Sequence, residues 1–484
     1  MELTVSDIAA TSRGRILAGD PGCTATSFTY DSRLLEPGAC FFALRGARDG
    51  HDFVADAFAR GARVAVVSRD PGDLAHGGAR AIVEVPDTLH ALGDCGRLAR
   101  DRMPDATVVG VTGSAGKTST KDLTAAVLAR RFDVLASPGS FNNESGLPLT
   151  LLAGGPDTEV IVAEMGARFA GNIRDLCEIA RPKIGVITNV GLAHAEHLGA
   201  RADIARVKGE LLDALPPDGV AILNADDEMT PALAANRRFR VVPVGFDADP
   251  RHGVRVGDVR VDAQLRPTFT LSSPWGELTA TVGVRGHHQA VNAGMAAAVA
   301  LVLGVEADDV VAGLAATTGS SWRMQLERSP GGLIVLNDAY NASPGTMEAA
   351  LRSFAYLPVA GRRIAVLGEM RELGAYSTDE HRKLGRLVAD VGLDALVAVG
   401  DAGREIAGAA RAARVDDVVE AANTADALAA VVALAGPADA VLVKGSRAVG
   451  LEVLADALVA GAADVTHEVP HDRGSLVEQS EPGP

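Results

Sequence analysis

The chain has 484 residues, more than one ordinary domain holds, so about two to four domains are expected. Hydrophobic residues make up 47% and charged residues 22%, a balance that excludes wholesale disorder. The formal charge of −16 argues against a general binder of nucleic acid or of a membrane surface, because both partners are anionic.

The opening Met1-Glu2-Leu3-Thr4-Val5 has neither a basic nor an apolar signal region, so no signal peptide is expected. Residues 1–104 read as a small N-terminal α/β domain with buried strands at 64–67 and 81–85. Met103-Pro104-Asp105 reads as a linker, because Pro breaks helices and Asp favours turns. Residues 105–322 read as a central P-loop-type domain. Its apolar strand at 107–111 is followed by a Gly-rich turn and a helix over 119–132. Strands at 160–163 and 184–187, with helices between them, predict a mostly parallel sheet covered on both faces. Over 254–284 the pattern changes to strands without helices, which predicts an antiparallel extension, and an Ala-rich helix follows over 289–303. The apolar run at 293–305 falls short of the roughly 18 residues that a membrane span needs, so no membrane insertion is expected. Residues 323–470 read as a C-terminal, Rossmann-like, doubly wound sheet with strands at 333–337, 364–367, 395–399 and 440–443. The polar tail at 471–484 is expected to be disordered. The fold class is therefore α/β in three domains.

The four cysteines, Cys23, Cys40, Cys95 and Cys177, form no C-x-x-C pair and read as buried free thiols in a reducing cytoplasm. Only six of the 46 basic residues are lysines: Lys117, Lys121, Lys183, Lys208, Lys383 and Lys444. Where positive charge alone is needed, this chain uses Arg. Each Lys is thus a candidate for chemistry that needs a compact amine, with chance survival on the surface as the bland alternative for about half of them.

The strongest motif is Thr112-Gly113-Ser114-Ala115-Gly116-Lys117-Thr118-Ser119, between a strand and a helix. Its glycines allow φ > 0, so that backbone N–H groups can converge on one anion, and the helix N-terminus adds partial positive charge. Lys117 is placed to reach the β- and γ-phosphates, and the Thr118 hydroxyl to meet Mg²⁺. The strict Walker spacing fails, because Val111 stands where its first Gly would. Glu164, at the end of the strand at 160–163, is expected to face this loop and complete a metal site. His194 and Glu196 lie beyond another strand end, although a lone His is more often a satisfied polar residue than a ligand.

With these residues in view, the chain resembles the Mur ligases from Asp31 to about Leu458. Asp31-Ser32-Arg33, Phe41 to Gly46 and Asp49-Gly50-His51-Asp52-Phe53 resemble a uridine-nucleotide domain. Asn142-Asn143-Glu144-Ser145-Gly146, Glu164, Thr188-Asn189, His194 and Lys208-Gly209-Glu210 are similar to the family's central motifs. Asn292 and Arg323 resemble positions that meet the nucleotide. Asp338-Ala339-Tyr340-Asn341-Ala342 and Lys444-Gly445-Ser446-Arg447 resemble C-terminal motifs. Three stretches depart from the expected pattern: His287-His288-Gln289 stands for Arg-His-Asn, Trp322 for Gly, and Ser343 for the second Asn of Asn-Ala-Asn.

The resemblance implies an ADP-forming amide ligase of the cytoplasm that uses ATP and two Mg²⁺ ions. Its implied activity is to join D-alanyl-D-alanine to UDP-MurNAc-tripeptide through an acyl phosphate, in peptidoglycan precursor synthesis. It further implies that Thr118 and Glu164 hold one metal, and that His194 and a carbamylated Lys208 hold or orient the other. Ser32, Arg33, Asn142, Asn143, Tyr340, Asn341, Lys444, Ser446 and Arg447 are implied to bind substrate, and Asp338 to assist the nucleotide. A monomer is expected. The alternatives are another ligase of the same fold, adding a diamino acid or acting on folate, or a non-catalytic nucleotide-dependent scaffold.

Overall fold

A computed structural model describes residues 1–72, 80–235 and 237–461. The tail at 471–484 lies outside the described residues. Three main sheets follow one another along the chain. The first has the order Arg15–Ala18, Ala81–Glu84, Val64–Val67, Cys40–Phe42, Phe28–Thr29, and only its Arg15–Ala18 edge is antiparallel. Its inner strands are apolar on both faces, as a parallel strand buried on two sides requires.

The central sheet has nine strands. Its order is Gly276–Thr281, Pro267–Ser273, Val254–Val261, Arg240–Gly245, Val220–Asn224, Ile184–Ile187, Thr107–Thr112, Val160–Glu164, Val134–Ala136. Seven of these run parallel; of the antiparallel extension expected over 254–284, Val254–Val261 instead joins Arg240–Gly245 in parallel, and only Pro267–Ser273 and Gly276–Thr281 add antiparallel pairs. Pro243 sits inside Arg240–Gly245, where it pairs with Leu223. The neighbour on its other side, Val254–Val261, begins pairing only at Val244, so no bond is demanded of the missing N–H there. The helix Gln289–Val302, rich in small residues, lies almost wholly buried against this sheet.

The third sheet has the order Gln325–Arg328, Ile334–Asn337, Ala440–Lys444, Arg363–Leu367, Ala395–Val399, Asp417–Ala421, parallel except at its first strand. One apolar core is continuous from the first sheet into the second. Leu92, Cys95 and Ala99 of the helix Thr88–Asp101 meet Leu147, Leu151 and Cys177. Within this contact Arg100 is buried and donates to the carbonyls of Met103, Ala180 and Ala106, the last two at 3.1 Å. Among the described residues no helix is long and apolar enough to cross a membrane. Cys40, Cys95 and Cys177 are buried as expected, whereas Cys23 is only partly buried.

Candidate active site

The parallel strands of the central sheet end on one rim. Glu164 pairs with Val111, and Ile187 with Thr112, so three strand ends lie side by side. The Thr112–Ser119 loop leaves this rim. Gly113 and Gly116 have φ of +149° and +77°, the freedom that the loop requires. A Cβ on Gly116 would stand 2.9 Å from the Asn292 amide oxygen, so this turn and the long helix meet backbone to side chain. The following helix begins at Lys117, two residues earlier than expected, and runs to Leu128. No side chain caps it. Its first amides, at Lys117, Thr118 and Ser119, have no acceptor inside the helix and lie open to an anion.

Not every loop amide is available for that purpose. Asn189 accepts from the Ser114 N–H through its carbonyl (3.0 Å) and from the Ala115 N–H through its side chain (2.9 Å). Thr188 donates to the Ala115 carbonyl at 2.5 Å, and Ser114 exchanges bonds with Gly191. The expected convergence of successive loop amides is thus corrected: Asn189 takes the Ser114 and Ala115 amides and braces the loop, and only the amides of the helix start remain.

The Thr118 hydroxyl donates to Glu164 Oε2 (2.8 Å), and Asn142 Nδ2 donates to Glu164 Oε1 (2.8 Å). Glu164 is buried at the end of its strand. Lys117 Nζ folds back onto the Gly113 carbonyl at 2.9 Å. Burial lowers its pKa, the Glu164 charge opposes that shift, and Arg323 adds to it. Lys208 is 1% exposed in the helix Arg201–Asp213. Among the described residues no carboxylate forms an ion pair with it, and its pKa falls to about 7. Burial is the main cause and the Lys117 charge the second, with Glu210 opposing. Lys121 is also buried, and its amine donates to the carbonyls of Ser137 (2.7 Å) and Gly139 (3.0 Å), anchoring the loop that carries Asn142. Of the six lysines, Lys121, Lys208 and Lys444 are buried, Lys117 is partly buried, and Lys183 and Lys383 are exposed.

The C-terminal sheet turns its own rim of strand ends toward this site. Arg323 Nη2 donates to Thr118 Oγ1 at 3.0 Å, and its guanidinium lies 3.9 Å above the Tyr340 ring. The Tyr340 hydroxyl bonds Ser140 in the central domain. A closed circuit therefore runs from Thr118 through Arg323, Tyr340 and Ser140, along the loop to Asn142, and through Glu164 back to Thr118. Just before the C-terminal sheet begins, Ser320 donates to Asp122 at 2.7 Å.

His194 lies beside this circuit and bonds Glu372, a C-terminal-domain residue that the sequence reading missed. Burial lowers the His194 pKa, and Glu372 opposes that shift. The Glu372 carboxyl is held below its ordinary range, first by its bond from His194. Glu372 follows the strand Arg363–Leu367, and attention to carboxylates beyond strand ends could have found it. Glu196 contributes a backbone N–H to Glu372 O rather than its carboxylate.

Other expected residues make the following local contacts. Asn143 accepts from the Gly146 N–H (2.9 Å) at the start of the helix Gly146–Leu152. Asn292 donates to Gln289 (2.9 Å) beside Gly116. Lys444 directs its three donors to Asp338 Oδ2 (2.6 Å), Asp338 O (3.3 Å) and Asn341 O (2.9 Å), which makes it a buried post between strand ends rather than a free cation. Asp338 Oδ1 accepts from the Met324 N–H, tying the segment before Gln325–Arg328 to that post. Ser446 accepts from the Arg371 N–H, and Arg447 lies over the Trp322 ring. Ser32 and Arg33 sit in the first domain, in a short turn that Asp31 caps, and Arg33 pairs with Asp31 at 2.7 Å.

Among the described residues no three His, Cys, Asp or Glu side chains converge as a protein-only metal cage would need. The oxygen pair of Thr118 and Glu164 suits a hard cation that takes its remaining ligands from phosphates and water.

Three family descriptions match the chain: the Mur ligase family catalytic domain over 24–100, the Mur ligase middle domain over 111–300, and the Mur ligase glutamate ligase domain over 322–447. The UDP-N-acetylmuramoyl-tripeptide–D-alanyl-D-alanine ligase of Mycobacterium tuberculosis is 40% identical, over 95% of this chain and 98% of its own. A MurF crystal structure from Acinetobacter baumannii superposes with a TM-score of 0.84 at 31% identity, over 95% of this chain and 99% of its own. MurF ligase from Thermotoga maritima in complex with ADP gives 0.74 at 28% identity, over 89% and 96% of the two chains. The phosphate-type loop, the strand-end carboxylate and the whole-length likeness agree, and the chain belongs to the Mur ligase family.

Proposed function

We propose that the protein is an ATP-dependent ligase that adds D-alanyl-D-alanine to UDP-MurNAc-tripeptide. The observation that carries this reading is the loop rim itself. Lys117, Thr118 and Glu164 meet at one helix start, in a chain 40% identical along nearly its whole length to a ligase of that name.

Joining a carboxylate to an amine in water is uphill, so the acid must first be activated. The tripeptide carboxylate attacks the γ-phosphorus, ADP leaves, and an acyl phosphate forms. The dipeptide amine then attacks the acyl carbon, and phosphate leaves as the amide forms. Two anions must approach each other in the first step. The open amides at the helix start and the Lys117 ammonium bind and neutralise the phosphates. To do so Lys117 exchanges its bond to the Gly113 carbonyl for one to phosphate. Arg323 sits where it can follow the same phosphates from the C-terminal side.

Bound Mg²⁺ would supply charge neutralisation between the phosphate oxygens and the attacking carboxylate. Thr118 and Glu164 would hold one ion, and His194 with a carbamylated Lys208 the other. Carbamylation needs a neutral amine, and the lowered Lys208 pKa provides one near neutral pH.

The labour is divided along the chain. Residues 1–104 hold the uridine nucleotide, with Ser32 and Arg33 as contacts. Residues 105–322 hold ATP, with Asn142 and Asn292 in the wall of the site. Residues 323–470 present the dipeptide through Tyr340, Asn341, Ser446 and Arg447. One chain supplies every part, which supports action as a monomer, and the free cysteines suit the cytoplasm.

The test is a panel of ADP-release assays. Turnover is expected only with UDP-MurNAc-tripeptide, D-alanyl-D-alanine and Mg²⁺ together. Equal turnover with folate and glutamate, or with a single amino acid in place of the dipeptide, overturns the reading.

A further inference from the structure

Glu372 belongs to the C-terminal domain, yet the partners described for its side chain lie in the central one. Oε2 meets His194 Nδ1, and Oε1 stands 2.9 Å from Arg168 Nη2 and 3.9 Å from His197 Nε2. Its carbonyl accepts from the Glu196 N–H at 3.0 Å. Two residues on, a Cβ on Gly374 would stand 3.1 Å from Glu196 Cα, so the two segments meet backbone to backbone. The loop after Arg363–Leu367 is thus docked on the short helix Ala195–Leu198, which His194 opens.

Both partners hold a conformation that side chains disfavour. Glu372 and His194 each have φ of +60°. Such backbone persists only where surroundings over-determine it, and it gathers at functional positions. Glu372 is not in an apolar core, since its side chain keeps 27% of its exposure. Packing alone therefore does not account for it. A carboxylate on Nδ1 fixes that nitrogen as the donor and leaves Nε2 as the free acceptor, with the ring held in one orientation.

We propose that Glu372 is a positioning residue, which the C-terminal domain inserts to orient His194, so that the central site is complete only when these two domains are docked. The inference rests on the ligase reading for what His194 does, but not for the contact itself. Domain docking thereby becomes a condition for turnover rather than only a means of bringing the dipeptide close.

The test uses the full chain with Glu372→Ala and Glu372→Gln. Glu372→Ala is expected to lower kcat about 10- to 100-fold, the usual effect of losing an outer partner of this kind. KM for ATP and for UDP-MurNAc-tripeptide should change less than about threefold, and Tm by no more than a degree or two. Glu372→Gln keeps an acceptor for Nδ1–H and should restore most of kcat. Wild-type kcat in Glu372→Ala overturns the proposal. So does a loss of Tm that matches the loss of kcat and that Gln does not relieve, which marks a purely structural contact. Hydrogen exchange over 194–200 and 372–376 is read in parallel and needs no turnover. If the wild type releases no ADP with its three substrates, the ligase reading fails. In that case faster exchange at 194–200 in Glu372→Ala still supports the positioning contact, and unchanged exchange overturns it.

Discussion

The Arg447 guanidinium carbon lies over the Trp322 indole, 4.2 Å from the ring centroid, and Trp322 carries that ring from a backbone with φ of +57°. Glycine would hold the same backbone without strain, which explains in physical terms why glycine is the expected residue at 322. A side chain there costs roughly 1–2 kcal/mol. A stacked guanidinium returns about 0.5–2 kcal/mol, so the two nearly offset. What the tryptophan adds is a fixed direction for Arg447.

Trp322→Gly should therefore leave Tm within about two degrees of wild type while raising KM for D-alanyl-D-alanine. Loss of about 1 kcal/mol of orientation corresponds to roughly fivefold in KM. Trp322→Phe should recover most of it. Steady-state kinetics with varied dipeptide checks this, and an unchanged KM in Trp322→Gly removes Arg447 from the dipeptide site.

Lys117→Ala should lower kcat by about two orders of magnitude or more, as the loss of a charge contact in the transition state does. Lys117 is half-buried at a loop and takes no part in the core, so circular dichroism and Tm should match wild type. Near-normal ADP release by this variant would place ATP elsewhere.

Lys208→Arg puts a permanent cation where a neutral amine is needed and cannot form a carbamate, and we expect it to be nearly inactive. Lys208→Ala should regain part of its turnover when formate or acetate is added, because a short carboxylate can enter the vacated space. Wild-type rates in Lys208→Arg would leave Lys208 a buried structural cation.

His288 provides a pH prediction. Its Nδ1 is buried without a hydrogen-bond partner, and burial pulls its pKa down to about 4 from an ordinary 6.5. The unfolded chain then binds more protons than the folded one between those values. The stability tied to a neutral His288 is fully present above pH 6.5 and is lost as pH falls toward 4, by at most about 3 kcal/mol. Urea unfolding at pH 7.5 and 4.5 should show a larger drop for wild type than for His288→Asn. Equal drops would mean that another group carries the acid sensitivity.

Much of the site was legible because it sits where apolar β-branched strands end. The runs at 107–111, 160–163 and 184–187 announce buried parallel strands, and a parallel sheet puts its chemistry at their C-terminal ends. Lys117, Thr118 and Glu164 follow from that rule, and the structure brings them together. What the sequence hid depends on contacts between distant segments. Asn189 lies 74 residues from Ala115, and nothing local shows that it would take the amides of the phosphate-type loop. Glu372 lies 178 residues from His194, and although it follows a strand end, nothing local points to His194 as its partner. Strands at 134–136 and 240–245 were missed for another reason: one is short, and Pro243 interrupts the other.

The placement of the lysines has a practical side. Only Lys183 and Lys383 carry exposed side-chain amines, each paired with a nearby carboxylate, while Lys121, Lys208 and Lys444 are enclosed. Among the described residues, bulky amine-directed dyes and cross-linkers would thus find two exposed lysine side chains, the Lys183 one at the opposite end of the central sheet from the phosphate-type loop. A small electrophile such as cyanate instead tests the enclosed Lys208 amine, where the carbamate is proposed. Labelling with the two classes of reagent side by side would separate the outer chemistry of this molecule from its inner one.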